Sequence, residues 1–282
     1  MLLANNTAIR QVAKWRLIIN SPGKGAWNMA VDEAVLEFVA KKEKPPTLRL
    51  YAWDPYCLSL GHAQPAADVN LQALKAKGWG LVRRPTGGKA ILHADEITYA
   101  IIAPMDEPRV SGTVLESYQR LSMALLTALR IIGIQADSKP KKSVSRRSLI
   151  NPICFESPSD YEITSNGKKI IGSAQARRLQ GVLQHGSIPL YGDITRIIQI
   201  LNYNSISEQK EAKNNLQDKA CTLNDIPNKK ITWQNTANAL ISGFSNELNI
   251  TFFQSHLSDK EINRAKELVQ RKFGLDEWTF RI

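Results

Sequence analysis

Apolar and polar positions along this chain follow two periods, and each change of period marks an element. Residues 26–43 place apolar side chains at Met29, Val31, Val35, Leu36 and Val39, the spacing of a helix with one buried face, and Pro45-Pro46 ends it. Residues 47–52 switch to alternation, with Leu48, Leu50 and Ala52 on one side, as in a strand. A second short apolar run lies at 57–61, and residues 70–77 predict a short helix stopped by Gly78. Residues 80–84 and 90–103 read as strands around a Gly-Gly turn. Thr113 and Glu116 form a capping box, opening a long helix with apolar positions at Tyr118, Leu121, Leu125, Leu129 and Ile132 that Gly133 closes. Further on come a strand at 182–190 and helices at 194–202, 233–248 and 258–273. Between them, 205–225 is polar and rich in Asn, Lys and Gln.

Residues 161–175 predict a hairpin. Asn166-Gly167 supplies the positive backbone angles of a type I′ turn. That register sets Ser165 opposite Lys168, Thr164 opposite Lys169 and Ile163 opposite Ile170. Lys169 and Ile171 then share a face with Thr164 and Glu162, and Lys168 points the other way. From spacing alone, a surface hairpin with two solvated lysines is the plainer reading.

Strands and helices mix without regular βαβ alternation, which predicts an α+β fold: a mixed or antiparallel sheet flanked by helices. A boundary near 191–193 divides a main domain, 1–192, from a small, mainly helical extension, 193–282. Hydrophobic residues make up 43% of the 282, enough for a core. No apolar run approaches the roughly 18 residues of a membrane span. The first residues lack the basic-apolar-small order of a signal peptide. Cys57, Cys154 and Cys221 are widely spaced and form no Cys-x-x-Cys pair, which fits a reduced compartment. A cytoplasmic protein without membrane association is expected. The net charge of +11 predicts attraction to an acidic partner. Residues 138–148 carry five basic residues and no acidic one, the composition of a solvated loop. A basic nucleic-acid-binding or regulatory module is one reading of that run. Aromatic residues are not interleaved with it, so it offers no stacking platform and nucleic acid is not the expected partner.

Three segments carry candidate chemistry. In Arg83-Arg-Pro-Thr-Gly-Gly-Lys-Ala-Ile-Leu-His93, two glycines let backbone approach a ligand and turn N–H groups inward, with the arginines adding anion donors. The glycine spacing excludes a Walker loop and a dinucleotide fingerprint. Cys154 is a candidate nucleophile that needs a nearby base or a lowered pKa, and His93 and His185 are candidate partners. Its plainer reading is a buried small hydrophobe. Gln184-His-Gly-Ser-Ile188 reads equally as a strand with His185 held by backbone. No metal-ligand spacing joins the four histidines to the cysteines. A thiol near a lysine in a fixed hairpin suggests acyl transfer through a thioester, chemistry that needs no ATP.

Taken together, Arg83-Arg-Pro-Thr-Gly-Gly88, His93, Lys169-Ile-Ile-Gly-Ser-Ala-Gln175 and Gln184-His-Gly-Ser-Ile188 resemble, in order, the blocks of the biotin/lipoate A/B protein ligase family. The match spans residues 15–190, and the Asp276-Glu-Trp278 tail is similar too. Within the family, Cys154-Phe-Glu156 resembles octanoyltransferases that use a cysteine. The resemblance implies a mixed sheet flanked by helices with an acyl tunnel, and it implies no cofactor and a monomer. It implies transfer of octanoyl from acyl carrier protein to a lysine of a lipoyl domain, such as the glycine-cleavage H protein. Cys154 would be the nucleophile. Lys169 would hold the acyl carbonyl and help deprotonate the acceptor. Arg84, Thr86, Gly87 and Gly88 would shape the acyl and pantetheine side, with His93, Gly172, Ser173, Ala174 and His185 completing the substrate site. Two alternatives come with the family: an ATP-dependent lipoate–protein ligase, and a relay of octanoyl from H protein to other lipoyl domains. Lys89, where the ligases usually have a third glycine, and Ser159-Asp160-Tyr161, where they commonly carry Asn-Asp, disfavour adenylate chemistry.

Overall fold

The computed structural model describes residues 11–139, 152–156, 162–226 and 230–282. Its centre is an eight-stranded mixed sheet, running from one edge to the other as β11 (Ile250–Gln254), β1 (Ala13–Ile19), β2 (Thr47–Tyr51), β6 (Glu96–Pro104), β10 (Gly181–Pro189), β9 (Lys168–Arg178), β8 (Glu162–Ser165) and β7 (Asp137–Lys139). β1 is parallel to both neighbours, and every other pair is antiparallel. A second sheet of β4 (Gly80–Arg83), β3 (Cys57–Leu60) and β5 (Ile91–His93) lies beside it. The helices are α1 (Gly25–Ala40), α2 (Leu71–Ala76), α3 (Val114–Ile131), α4 (Ile206–Lys219), α5 (Trp233–Leu248), α6 (Asp259–Leu268) and α7 (Asp276–Thr279). This is the α+β architecture expected, a mixed sheet flanked by helices.

The two-residue period of β6 explains how the layers assemble. Ile97, Tyr99, Ile101 and Ala103 join a core with Leu121 and Leu125 of α3 and Leu240 and Phe244 of α5. Ala100 and Ile102 face the other way, into a core with α1 and with Ala265 and Leu268 of α6. α1 is buried without interruption from Asn28 to Leu36, more than one stripe, because α6 covers the side away from the sheet. A third cluster, including Leu58, Leu60, Ile91, Ile153, Phe155 and Ile197, supports the small sheet and the Cys154 segment.

Several elements differ from expectation. Residues 90–103 divide into β5 and β6, which belong to different sheets. Residues 194–202 form a 3₁₀ helix over Ile194–Ile200, and 258–273 is α6 followed by a π-helical turn at Val269–Phe273. The polar 205–225 stretch contains α4, capped by Ser205, whose side chain accepts from the Glu208 N–H at 3.1 Å. Only Leu216 of α4 is buried, so its pattern carries almost no periodic signal. Residues 193–282 are mainly helical, yet β11 extends the main sheet beside β1 and α5 packs on α3, so pairing and core packing both cross position 192. Arg16 of β1 also grips Glu261 of α6 through bonds of 3.0 and 2.6 Å. The basic run lies outside the described residues from 140 onward.

In the hairpin, Asn166 (φ 50°) and Gly167 (φ 79°) form the predicted turn, with Thr164 opposite Lys169 and Ser165 opposite Lys168. Ile163, however, pairs with Ile171 rather than Ile170. A β-bulge absorbs the extra residue, and both Ile170 and Ile171 lie in the core. The alternation therefore changes phase, placing Lys169 on the face of Gly172 and Ala174 rather than that of Ile171.

Candidate active site

Cys154 begins a 3₁₀ turn, Cys154–Glu156, held by backbone bonds to the glycine-loop segment. Its N–H donates to Ala90 O at 3.0 Å, and the Ala90 N–H donates to Pro152 O at 2.9 Å. Cys154 is half-buried, whereas Cys57 and Cys221 are buried. Burial, reinforced by Glu96, pushes the Cys57 thiol far up, and burial with Asp225 raises that of Cys221. These two cannot readily supply a thiolate.

Lys169, 2% exposed, reaches under this turn. Its Nζ donates to the Cys154 carbonyl at 3.0 Å and pairs with Glu162 Oε1 at 2.8 Å. It also lies 5.5 Å from the centroid of the Phe155 ring. That ring packs on Gly172, where an added Cβ would sit 3.2 Å from it. The bulge thus brings the lysine to the cysteine from a strand that would otherwise turn it away.

Beside the pair lies a narrow slot lined by Arg84, His93, Gly172, Ala174 and His185, with Trp53 and Met29 as apolar walls. Its volume is about 20 Å³. Two buried polar chains support the slot. In one, Thr86 Oγ1 meets His185 Nε2 at 2.7 Å, and His185 Nδ1 meets Asp32 Oδ2 at 3.1 Å. Asp32 also accepts from Arg49 at 2.6 Å and from the Tyr51 hydroxyl at 2.9 Å. Burial alone would raise the Asp32 carboxyl, but Arg49 and His185 outweigh it and hold it below its ordinary value. Burial lowers the His185 pKa, with Asp32 opposing. In the other chain, Ser59 Oγ meets His93 Nε2 and His93 Nδ1 meets Glu96 Oε1, both at 2.8 Å. Trp53 stacks on the His93 ring with centroids 3.9 Å apart. Both nitrogens of each imidazole are therefore held by partners within these chains.

The arginines of the glycine loop also depart from expectation. Arg83 donates to the carbonyls of Gly61, Gln64 and Thr279. Arg84 donates to Ser59 O at 3.0 Å, Gly87 O at 2.8 Å and Lys89 O at 2.7 Å. The loop is built around these guanidinium groups, and its carbonyls turn toward Arg84. Gly88 (φ 87°) makes this path possible, and a Cβ on Gly61 would fall 1.8 Å from Gly88 O. Arg84 keeps one function open: its buried Nε has no hydrogen-bond partner among the described residues. Burial lowers its pKa, with the charge of Cys154 opposing.

The structure thus gathers Cys154 and Lys169 at a junction, with Arg84, His93, Gly172, Ala174 and His185 on the slot, and Gly87 and Gly88 on an adjoining open cleft. Thr86 braces His185. Ser173 turns to the opposite face, where its hydroxyl meets the Tyr99 hydroxyl at 2.7 Å. Sequence reasoning missed Glu162, Asp32, Ser59 and Glu96 as supports. Glu162 alone left a signal, since the predicted hairpin already put it on the Lys169 face. No group of three or more His, Cys, Asp or Glu among the described residues is placed to hold a metal ion.

Residues 24–245 match the lipoyl protein ligase A/B catalytic domain family. The chain is 37% identical over 273 residues to octanoyltransferase LipM of Brevibacillus brevis, covering 95% of this chain and 99% of that one. It is 38% identical over 268 residues to octanoyltransferase LipM of Carboxydothermus hydrogenoformans, covering 95% and 98%. Among solved structures, the bipartite lipoate protein ligase of Thermoplasma acidophilum, studied with its E2 lipoyl domain, superimposes with a TM-score of 0.80 at 25% identity, covering 95% of this chain and 96% of that one.

Proposed function

The chain belongs to the lipoyl protein ligase A/B catalytic domain family and is an octanoyltransferase of lipoate biosynthesis, and we propose that it works through an octanoyl-Cys154 thioester. The donor is octanoyl-acyl carrier protein, and the acceptor is a lysine of a lipoyl domain, such as that of H protein, in the cytoplasm. No helix among the described residues is long and apolar enough to cross a membrane. The observation that carries the reading is the contact of Lys169 Nζ with both the Cys154 carbonyl and Glu162, beside an apolar slot.

The first step exchanges one thioester for another. The Cys154 thiolate attacks the octanoyl carbonyl, the carrier thiolate leaves, and the chain enters the slot between Trp53 and Gly172. Arg84, which lines the slot with its Nε unpartnered among the described residues, supplies a donor for the charge that develops on the carbonyl oxygen. In the second step the acceptor amine attacks octanoyl-Cys154. The C–N bond forms, the C–S bond breaks, and the amine proton ends on the cysteine sulfur. Lys169, anchored by Glu162, is the group that orients and relays this proton. Thioester exchange is nearly balanced and amide formation is downhill, so ATP has no step to drive.

Intact-protein mass after mixing with octanoyl-acyl carrier protein, without ATP, tests this. Wild type should gain one octanoyl group and lose it when apo lipoyl domain is added, while Cys154→Ala gains none. An unmodified wild type whose acceptor is acylated only with ATP and free acid would make the chain a ligase.

A further inference from the structure

The open cleft beyond the slot has a volume of about 860 Å³, and Gly87, Gly88 and Pro152 border it near Cys154. Its far end is cationic. Arg178 and Lys272 both line it, and both pair with Glu33, at 3.2 and 2.7 Å. Arg281 lies over the Trp278 ring, 4.0 Å from the centroid, and donates to His62 O at 2.6 Å. Lys272 also lies 4.3 Å from that ring's centroid. Arg178 and Lys272 thus share one carboxylate, Glu33, which is 4% exposed, and Arg281 stands on the Trp278 ring that Lys272 also approaches. Asp68, the one acidic residue among the described residues lining the cleft, is bonded to Gln64 Nε2 at 3.0 Å. The excess charge registers on His62: after burial, the charges of Arg281, Arg178, Arg83 and Lys272 hold its imidazole below its ordinary value.

Strand β9 connects this end to the nucleophile. Gly172 and Ala174 line the slot, and Ala176 and Arg178 line the cleft. Alternate residues share a face of a strand, so one face of β9 runs from the slot toward the cleft, which Arg177 also borders. The six steps from Gly172 to Arg178 span about 20 Å of extended chain, the same order as an extended pantetheine arm.

We propose that Arg178, Lys272 and Arg281 bind the phosphate ester of the donor's pantetheine arm, so that the arm lies along β9 with its thioester at Cys154. This assignment rests on the transferase reading above. It adds that the enzyme recognises the donor's prosthetic group through its phosphate as well as its acyl chain.

Octanoyl-4′-phosphopantetheine and octanoyl-pantetheine differ only in that phosphate, and each can be offered to the full chain as a donor for acylating Cys154. Wild type should favour the phosphorylated donor in kcat/KM by about tenfold, the order expected for charge-assisted contacts in a partly wet site. In Arg281→Gln and Arg178→Gln the ratio should fall toward one. The ratio is the readout because a partly unfolded variant loses activity on both donors equally. A wild-type ratio of one, or a ratio unchanged in both variants, overturns the assignment and leaves the transferase reading intact. If neither donor acylates Cys154 while ATP and octanoate modify a lipoyl domain, the transferase reading falls, the phosphate recognised is a nucleotide's, and this assignment falls with it.

Discussion

Glu162 is the residue on which the two half-reactions should separate. It contacts Lys169 at 2.8 Å, and Lys169 donates to the backbone carbonyl of Cys154 at 3.0 Å. Forming octanoyl-Cys154 moves no proton off an amine, whereas emptying it does. Glu162→Gln keeps the size of the side chain and removes its charge. Rapid-quench measurement should find acylation of Cys154 nearly unchanged and octanoyl release to the lipoyl domain slowed about tenfold or more. Glu162→Asp should recover part of that rate. Equal slowing of both steps would reduce Glu162 to a structural support. The Asp32–His185 pair makes a second prediction, about stability. The His185 pKa lies below its ordinary 6.5, so as pH falls below 6.5 the unfolded chain takes up a proton that the folded chain does not. Stability therefore declines from pH 6.5 down to the folded pKa. Asp32, depressed below 3.8, stabilises the fold above that pH and loses this contribution only in stronger acid. The fall in Tm between pH 7.5 and 5.5 should be smaller in His185→Gln than in wild type. Equal falls would mean that His185 is not held neutral by its surroundings.

The hairpin and the C-terminal elements mark where the sequence stopped being legible. Asn166-Gly167 announced its turn because local backbone preference decides it, and the pairing of Thr164 with Lys169 followed. The bulge two residues further on has no local signal: Ile170 and Ile171 are both apolar, and only the core that takes both of them forces the extra residue. Cys154, Arg84 and Gly172 were found from motifs, but the carbonyl partners of Arg83, 19 to 196 residues away, leave no trace in spacing. The long capped helix was legible from Thr113 and Glu116, whereas α4 was not, since tertiary contact at Leu216 rather than periodicity holds it. Trp278 of α7 is another long-range support. Its Nε1 donates to Arg83 O at 2.8 Å, while Arg83 donates to Thr279 O at 2.7 Å, so α7 and the glycine loop hold each other. Trp278→Ala removes that bond and a large part-buried ring, a loss of about 2 kcal/mol. Hydrogen exchange of residues 83–89 should quicken in this variant while that of β6 does not. Unchanged protection of the loop would mean that the glycine loop keeps its shape without α7.

The molecule as a whole carries a net charge of +11, and acyl carrier and lipoyl domains are small acidic proteins in the proposed reaction. Opposite net charges speed encounter, and salt within the physiological range screens that attraction because the Debye length falls to about 8 Å at 0.15 M. The proposed chemistry at Cys154 is shielded differently: Lys169, Arg84 and His185 are all nearly buried, where screening is weak. Raising salt from 0.05 to 0.3 M should therefore lower kcat/KM for octanoyl-acyl carrier protein severalfold while leaving kcat nearly constant. A small uncharged octanoyl thioester is the control, since it has no net charge to steer and its kcat/KM should hardly respond. A carrier-protein reaction as indifferent to salt as the small thioester would mean that the basic surface plays no part in donor capture. A decline shared equally by both donors would place the salt effect inside the site instead, on the buried ion pairs that hold Lys169 and Asp32.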